Sequence, residues 1–180
     1  MISYQLTSTQ KELEEILALQ HTNLPKNLSL KEQQQEGFVS VEHTLALLQK
    51  MHSAHPHIIA KHQNKVIGYA LCMLPNFRDE IALLAPMFKE IDQLINTFKH
   101  PLKYVVMGQI CIDKSHRKKG VFKNLYEYMK QTVAPNYNAI ITEVDVTNHR
   151  SSKAHKKIGF EVLKEYKSSE QHWELIVLYL

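Results

Sequence analysis

The stretch DKSHRKKGVFKNLYEYMK, Asp113 to Lys130, sets the reading of the whole chain. Its first half places His116, Arg117, Lys118 and Lys119 in a row and ends at Gly120. Its second half carries Phe122, Leu125, Tyr126 and Met129, continued by Val133, the spacing of one buried helix face. Just before it lies KYVVMGQICI, 103–112, a long apolar run that predicts a strand near the centre of a sheet. The order is therefore buried strand, basic loop, glycine, amphipathic helix. The first backbone N–H groups of a helix have no partner within it, and the macrodipole gives them partial positive charge. With Gly120 free to turn, they form a nest suited to a phosphate or diphosphate. A solvated basic turn is the other reading of the same residues. Neither GxxxxGK[ST] nor GxGxxG occurs here, so this is not a nucleotide loop of either type.

Outward from this core the pattern alternates between strands and helices. ISYQLT reads as a first strand, and TQKELEEILALQ as a helix opened by Thr9 and Glu12 in capping-box spacing. Residues 25–36 are a connection or a short helix, and VEHTLALLQKM is helical. HIIAKHQNKVIGYALCML is a hairpin turning at Gln63 and Asn64. FRDEIALLAPMFKEIDQLINTF is helical, kinked or divided at Pro86. After the central helix come the strand NAIITEVDV, a short helix from Asn148 to Gly159, and two final strands, FEVLKEY and HWELIVLYL. The expectation is one mixed α/β domain over 1–180, with six to seven strands and about four helices.

Composition narrows the function classes. At 180 residues with 44% hydrophobic and 22% charged residues, the chain can bury a full core. There is no long apolar run for a membrane span and no basic-then-apolar leader. Cys72 and Cys111 lie far apart in apolar segments and read as reduced thiols, which favours the cytoplasm. The net charge of +4 comes from scattered lysines without an interleaved aromatic platform, so a nucleic-acid partner is not expected. Eleven histidines include the run HSAHPH, but it surrounds a proline between periodic segments and lacks metal-ligand spacing, so no metal is expected.

Two motifs in order resemble the GCN5-related N-acetyltransferase superfamily. The first is a strand followed by [Q/R]-x-x-G-x-[G/A] at a helix start, matched by Arg117, Lys118, Lys119, Gly120, Val121 and Phe122. The second is an Asn ending a strand, a short helix, then Gly-Phe, matched by Asn148, Gly159 and Phe160. The resemblance is firm from about residue 103 to 166. It implies a sheet splayed between its fourth and fifth strands and an acetyl-CoA site, with an amine as acceptor and a homodimer as the family's habit. The diphosphate would sit on the amides of Arg117 to Phe122, and the pantetheine arm would run along Ile110, Cys111 and Ile112 like an added strand. Asn148 and the following helix, with Ser151 and His155, would line the far side. The acceptor pocket would lie around 20–40 and 166–175. Two positions depart from the pattern. Phe122 stands where the family has Gly or Ala, and is expected to turn inward with Leu125 and Tyr126. His155 stands where the family often has a tyrosine acting as general acid.

Acyl transfer to an amine needs a base, a polarised carbonyl and a protonated leaving thiolate. Glu143 and Asp145 share one face of the strand NAIITEVDV, and Glu143 is the expected base if that face looks into the cleft. Both carboxylates solvated, or paired with lysines, is the alternative. Asn148, Ser151 and His155 share one helix face, and His155 is either the acid or a surface histidine. A chain that binds CoA without catalysis is the second functional expectation. Cys111 reads as an inert strand thiol rather than a nucleophile.

Overall fold

The computed structural model describes residues 1–98, 101–168 and 170–180. Its strands are β1 (Ile2–Leu6), β2 (Ile58–His62), β3 (Lys65–Met73), β4 (Tyr104–Ile112), β5 (Ala139–Asp145), β6 (Glu161–Ser168) and β7 (Gln171–Tyr179). Its α-helices are α1 (Gln10–His21), α2 (Leu30–Glu36), α3 (Leu45–Ala54), α4 (Ala85–Ile95), α5 (Val121–Val133) and α6 (His149–Lys157). The strands form one sheet in the order β1-β2-β3-β4-β5-β7-β6. Strand β4 is its middle member, as its uninterrupted apolar sequence predicts. All neighbours are antiparallel except β4 and β5.

One sheet face carries a cluster with Leu13 and Ile16 of α1, Leu48 and Met51 of α3, and Met87, Phe88 and Ile91 of α4. The other carries Val121, Leu125, Tyr126, Met129 and Val133 of α5. These five α5 residues are at most 1% exposed. Burying each stabilises the fold by roughly 1.5–3 kcal/mol for the aliphatic ones.

Six α-helices stand among the described residues where about four were expected. Among them α2 follows from Ser29, whose hydroxyl accepts from Glu32 N while the Glu32 carboxylate accepts from Ser29 N. That reciprocal capping box was written in the sequence as S-x-x-E. The same device at Thr9 and Glu12 opens α1 as expected. Of the two alternatives at Pro86, a kink or a division, the segment is divided. A 3-10 turn at Ala82–Leu84 leads into α4, and Pro86 sits in its first turn, where a missing N–H costs nothing. Helix α3 begins at Leu45 rather than Val41, because Thr44 caps it by accepting from Leu47 N.

The feature that makes a site is the parting of β4 from β5. They pair only at Tyr104↔Ala139, Val105↔Ile140 and Val106↔Ile141. Beyond these, β4 is irregular. Ala70 of β3 faces Ile110 but Cys72 faces Met107, so Gly108 and Gln109 together stand opposite Leu71, one residue in excess. Such a bulge bends a strand and increases its twist. Thr142 Oγ1 donates to Met107 O at 2.8 Å, a side chain standing where the ladder fails.

Candidate active site

Two cavities meet in the opening between β4 and β5. The larger, about 840 Å³, runs from the β4–α5 loop along Ile110, Cys111 and Ile112 to Asn148, Ser151 and Gly159. The smaller, about 80 Å³, lies on the other side of the sheet opening and includes Gln109, Glu143, Asp145, His155 and Trp173. Phe38, Val39, Ile110, Asn148 and Ser151 border both.

The loop forms the nest its sequence suggests. Lys118 has φ +62°, and Gly120 has φ +78° as the residue preceding α5. A side chain at position 120 would have free space but a strained backbone. Among the described residues, the amides from Lys118 to Lys123 donate to no protein oxygen. They stand at the positive end of a helix of 13 residues, beside the exposed Lys118 and Lys123. Lys119 is exposed and does not border the cavity.

Arg117 behaves differently from its lysine neighbours. Its Nε donates to Ile112 O at 3.0 Å, one Nη to Glu36 Oε2 at 2.7 Å, and the other to Asn23 Oδ1 at 2.8 Å. Its guanidinium is a strut that ties the end of β4 to α1 and α2, and holds the Glu36 carboxyl below its ordinary pKa. Arg150 reinforces this from α6, donating to Gln35 O at 3.0 Å. Beyond Glu36 the chain crosses the cleft. Gly37 has φ +74°, and a Cβ there would lie 3.1 Å from Asn148 Oδ1. Asn148 caps α6 by accepting from Ser151 N and donates to Phe38 O, both at 3.2 Å. The strap 36–39 is thus fastened to both walls.

Phe122 turns toward Tyr126, with ring centroids 5.2 Å apart, but stays half-buried and forms cleft wall. It also meets the His155 ring edge-on at 5.0 Å. His155 is 1% exposed, not a surface residue of a lysine-rich helix. Its Nδ1 lies 2.8 Å from Ser151 O, which can only accept, so that nitrogen carries the proton. Its Nε2 then accepts from the Tyr126 hydroxyl at 2.8 Å. Burial lowers its pKa to about 4, so the ring is neutral with its one proton committed.

Glu143 borders the smaller cavity, together with Thr142, Val144 and Asp145 of the same strand. Among the described residues, neither Glu143 nor Asp145 is paired with lysine. Asp145 Oδ1 accepts from Thr147 N at 2.8 Å. Glu143 Oε2 accepts from the Tyr166 hydroxyl. Burial raises the Glu143 pKa to about 7, partly opposed by that hydrogen bond. A carboxyl poised there can take a proton at neutral pH. The Cys111 thiol is buried and its pKa pushed up to about 12, so it is not a thiolate nucleophile. No group of three or more metal-ligating side chains gathers among the described residues.

The acetyltransferase (GNAT) family model matches residues 13–160. The chain belongs to that family. No curated protein sequence matches it. Among solved structures, Arabidopsis thaliana NAA60 in complex with acetyl-CoA superposes with a TM-score of 0.71 at 14% identity, covering all of both chains. Ard1 from Thermoplasma volcanium gives 0.67 at 14%, covering 99% of this chain and 97% of its own. The ribosomal-protein-S18-alanine N-acetyltransferase of Escherichia coli gives 0.65 at 10%, over 99% and 94%. These likenesses establish the fold.

Several site residues escaped the sequence. Tyr166 reaches Glu143 only because β7 lies between β5 and β6, an order the sequence does not spell out. Leu83, Leu84 and Met87 border the smaller cavity from a segment that reads only as a helix. Of the segments expected to build the acceptor pocket, 38–40 and Trp173 border the smaller cavity, while Ser169 lies outside the described residues.

Proposed function

We propose that this protein transfers an acetyl group from acetyl-CoA to a primary amine by direct attack within a ternary complex. The observation that carries the reading is the meeting of two cavities at Ile110, one ending in unpartnered helix N-terminal amides and the other in Glu143. A diphosphate on residues 118–122 and a pantetheine arm along Ile110 to Ile112 would bring a thioester to that junction. The backbone of β4 near Ile110, released from β5, is available to pair with the arm and polarise the carbonyl. The family membership and the acetyl-CoA complex of a similar fold support the same cofactor.

In this reading an ammonium enters from the Glu143 side and Glu143 takes one proton. The amine nitrogen attacks the thioester carbon, the C–N bond forms and the C–S bond breaks. The second proton lost by nitrogen leaves with the thiolate. Holding the two reactants at the junction supplies much of the rate, on the order of 7–11 kcal/mol at best. His155 enters as a positioning residue, joining Tyr126 to the Ser151 carbonyl, because its proton is not free for the leaving sulfur. The two buried, free thiols are in keeping with a reducing, cytoplasmic setting.

A second reading, a CoA-binding protein without catalysis, is favoured by one observation: the residue standing where the family often has its acid has no proton to give. Thiol release from acetyl-CoA with a panel of amines decides between them. Acceptor-dependent release supports the transferase, and tight CoA binding without release supports the binder.

A further inference from the structure

We infer that the acceptor is a primary ammonium at the end of an unbranched apolar stem, an alkylamine or a lysine side chain, rather than an α-amine; the inference rests on the transferase reading above. The smaller cavity supplies the argument. Its lining contains carboxylates, Glu143 and Asp145, and no lysine or arginine. A free amino acid would bury its carboxylate there without a partner, which costs several kcal/mol.

Several neutral polar side chains of the lining are engaged with the protein itself. Gln109 Nε2 donates to Val41 O at 2.8 Å, and its Oε1 accepts from Tyr69 at 2.6 Å and Gln20 at 2.8 Å. Thr142, Asn148 and His155 are committed to Met107 O, to Ser151 N with Phe38 O, and to Ser151 O with Tyr126. A second polar group on the acceptor, such as the carbonyl beside a peptide α-amine, would have to compete with these bonds, and a buried polar group left without a partner is costly.

The walls are apolar and close. Leu84, Met87, Val106 and Trp173 are each at most 6% exposed. A volume of about 80 Å³ accepts an amine on a short alkyl chain. The roof belongs to the connection between β3 and β4. Antiparallel neighbours need a loop of only about 2–5 residues, yet residues 74–103 intervene and bring Leu83, Leu84 and Met87 over the cavity. The Lys164 ammonium on β6 holds Glu90 of α4, fixing the roof to the far strand. Leu83, 47% exposed, marks the lip.

The test measures kcat/KM for acetyl transfer to n-butylamine, an N-terminally blocked peptide containing lysine, leucine, and a lysine-free peptide with a free N-terminus. Butylamine, the blocked lysine peptide or both should exceed the two α-amines by at least about tenfold. Transfer to butylamine alone identifies a small-molecule acceptor, and transfer to the peptide identifies a protein lysine. Leu83→Arg should raise KM for the preferred amine several-fold by repulsion at the lip while leaving CoA binding intact. Preference for leucine or the free N-terminus overturns the inference and leaves the transferase reading standing. Absence of transfer to any amine, with CoA bound, overturns both.

Discussion

Glu143 is where burial becomes chemistry. Its pKa of about 7 against an ordinary 4.5 means that the native state prefers the protonated carboxyl. The associated stability is fully present below about pH 4.5 and is lost as pH rises through about 7. By pH 8 the ionised group costs on the order of 3 kcal/mol relative to a neutral one, an upper figure. Glu143→Gln should therefore raise Tm at pH 8, change it little at pH 4.5, and lower kcat by about 10²–10⁴-fold. Wild-type kcat/KM should climb with pH through about 7 as the base ionises. A variant that is both more stable and equally active would remove Glu143 from the mechanism. His155 separates from it by the same logic. His155→Phe leaves the fully buried Tyr126 hydroxyl without its acceptor, a loss of roughly 1–3 kcal/mol in chemical denaturation. As a positioning residue it should keep the shape of the pH–rate profile and lower kcat modestly. A lost limb in that profile would restore it as a proton donor.

At the scale of elements, the β4–α5 loop and the strap 36–39 work as one clamp, joined by Arg117. Arg117→Ala removes hydrogen bonds to Ile112 O, Glu36 and Asn23 together and leaves Glu36 with Arg150 alone at 3.4 Å. Loss of a part-buried charged network of this kind costs about 2–4 kcal/mol. CoA affinity should fall as well, through loosening of Phe38 and Val39 rather than loss of a phosphate contact. The distinction is visible in salt dependence: Lys118→Ala should flatten the dependence of CoA binding on ionic strength, and Arg117→Ala should not. The loop was legible because the basic run, the glycine and the helical spacing are contiguous. The strap was not, because Gly37 and Phe38 acquire meaning only against Asn148, more than a hundred residues on.

Across the whole molecule, local patterns gave the strands and most helices, and the two spaced motifs gave the splayed sheet. The missing parts are those fixed by long-range neighbours. The insertion of β7 between β5 and β6 brings Tyr166 to Glu143, and the β3–β4 connection folds over the smaller cavity. Composition hides another global property. His43, His57 and His155 are buried and neutral, with pKa values lowered from 6.5 to about 4, about 3 and about 4, burial being the first cause for each. A depressed histidine pKa contributes stability that is complete above about pH 6.5 and lost as pH falls through the folded value. In Glu143→Gln, which removes the opposing carboxyl, urea midpoints should hold steady from pH 8 to 6.5 and drop steeply toward pH 4, with a proton uptake on unfolding approaching three from these groups. A flat profile would mean that these rings are not held neutral. The proposed diphosphate nest at Gly120 carries the functional reading, and isothermal titration with CoA on wild type and Gly120→Glu tests it most directly. Saturable one-to-one binding by wild type, weakened at least about tenfold in a variant that remains folded, is the predicted result; no binding by wild type, or equal affinity in both, would contradict it.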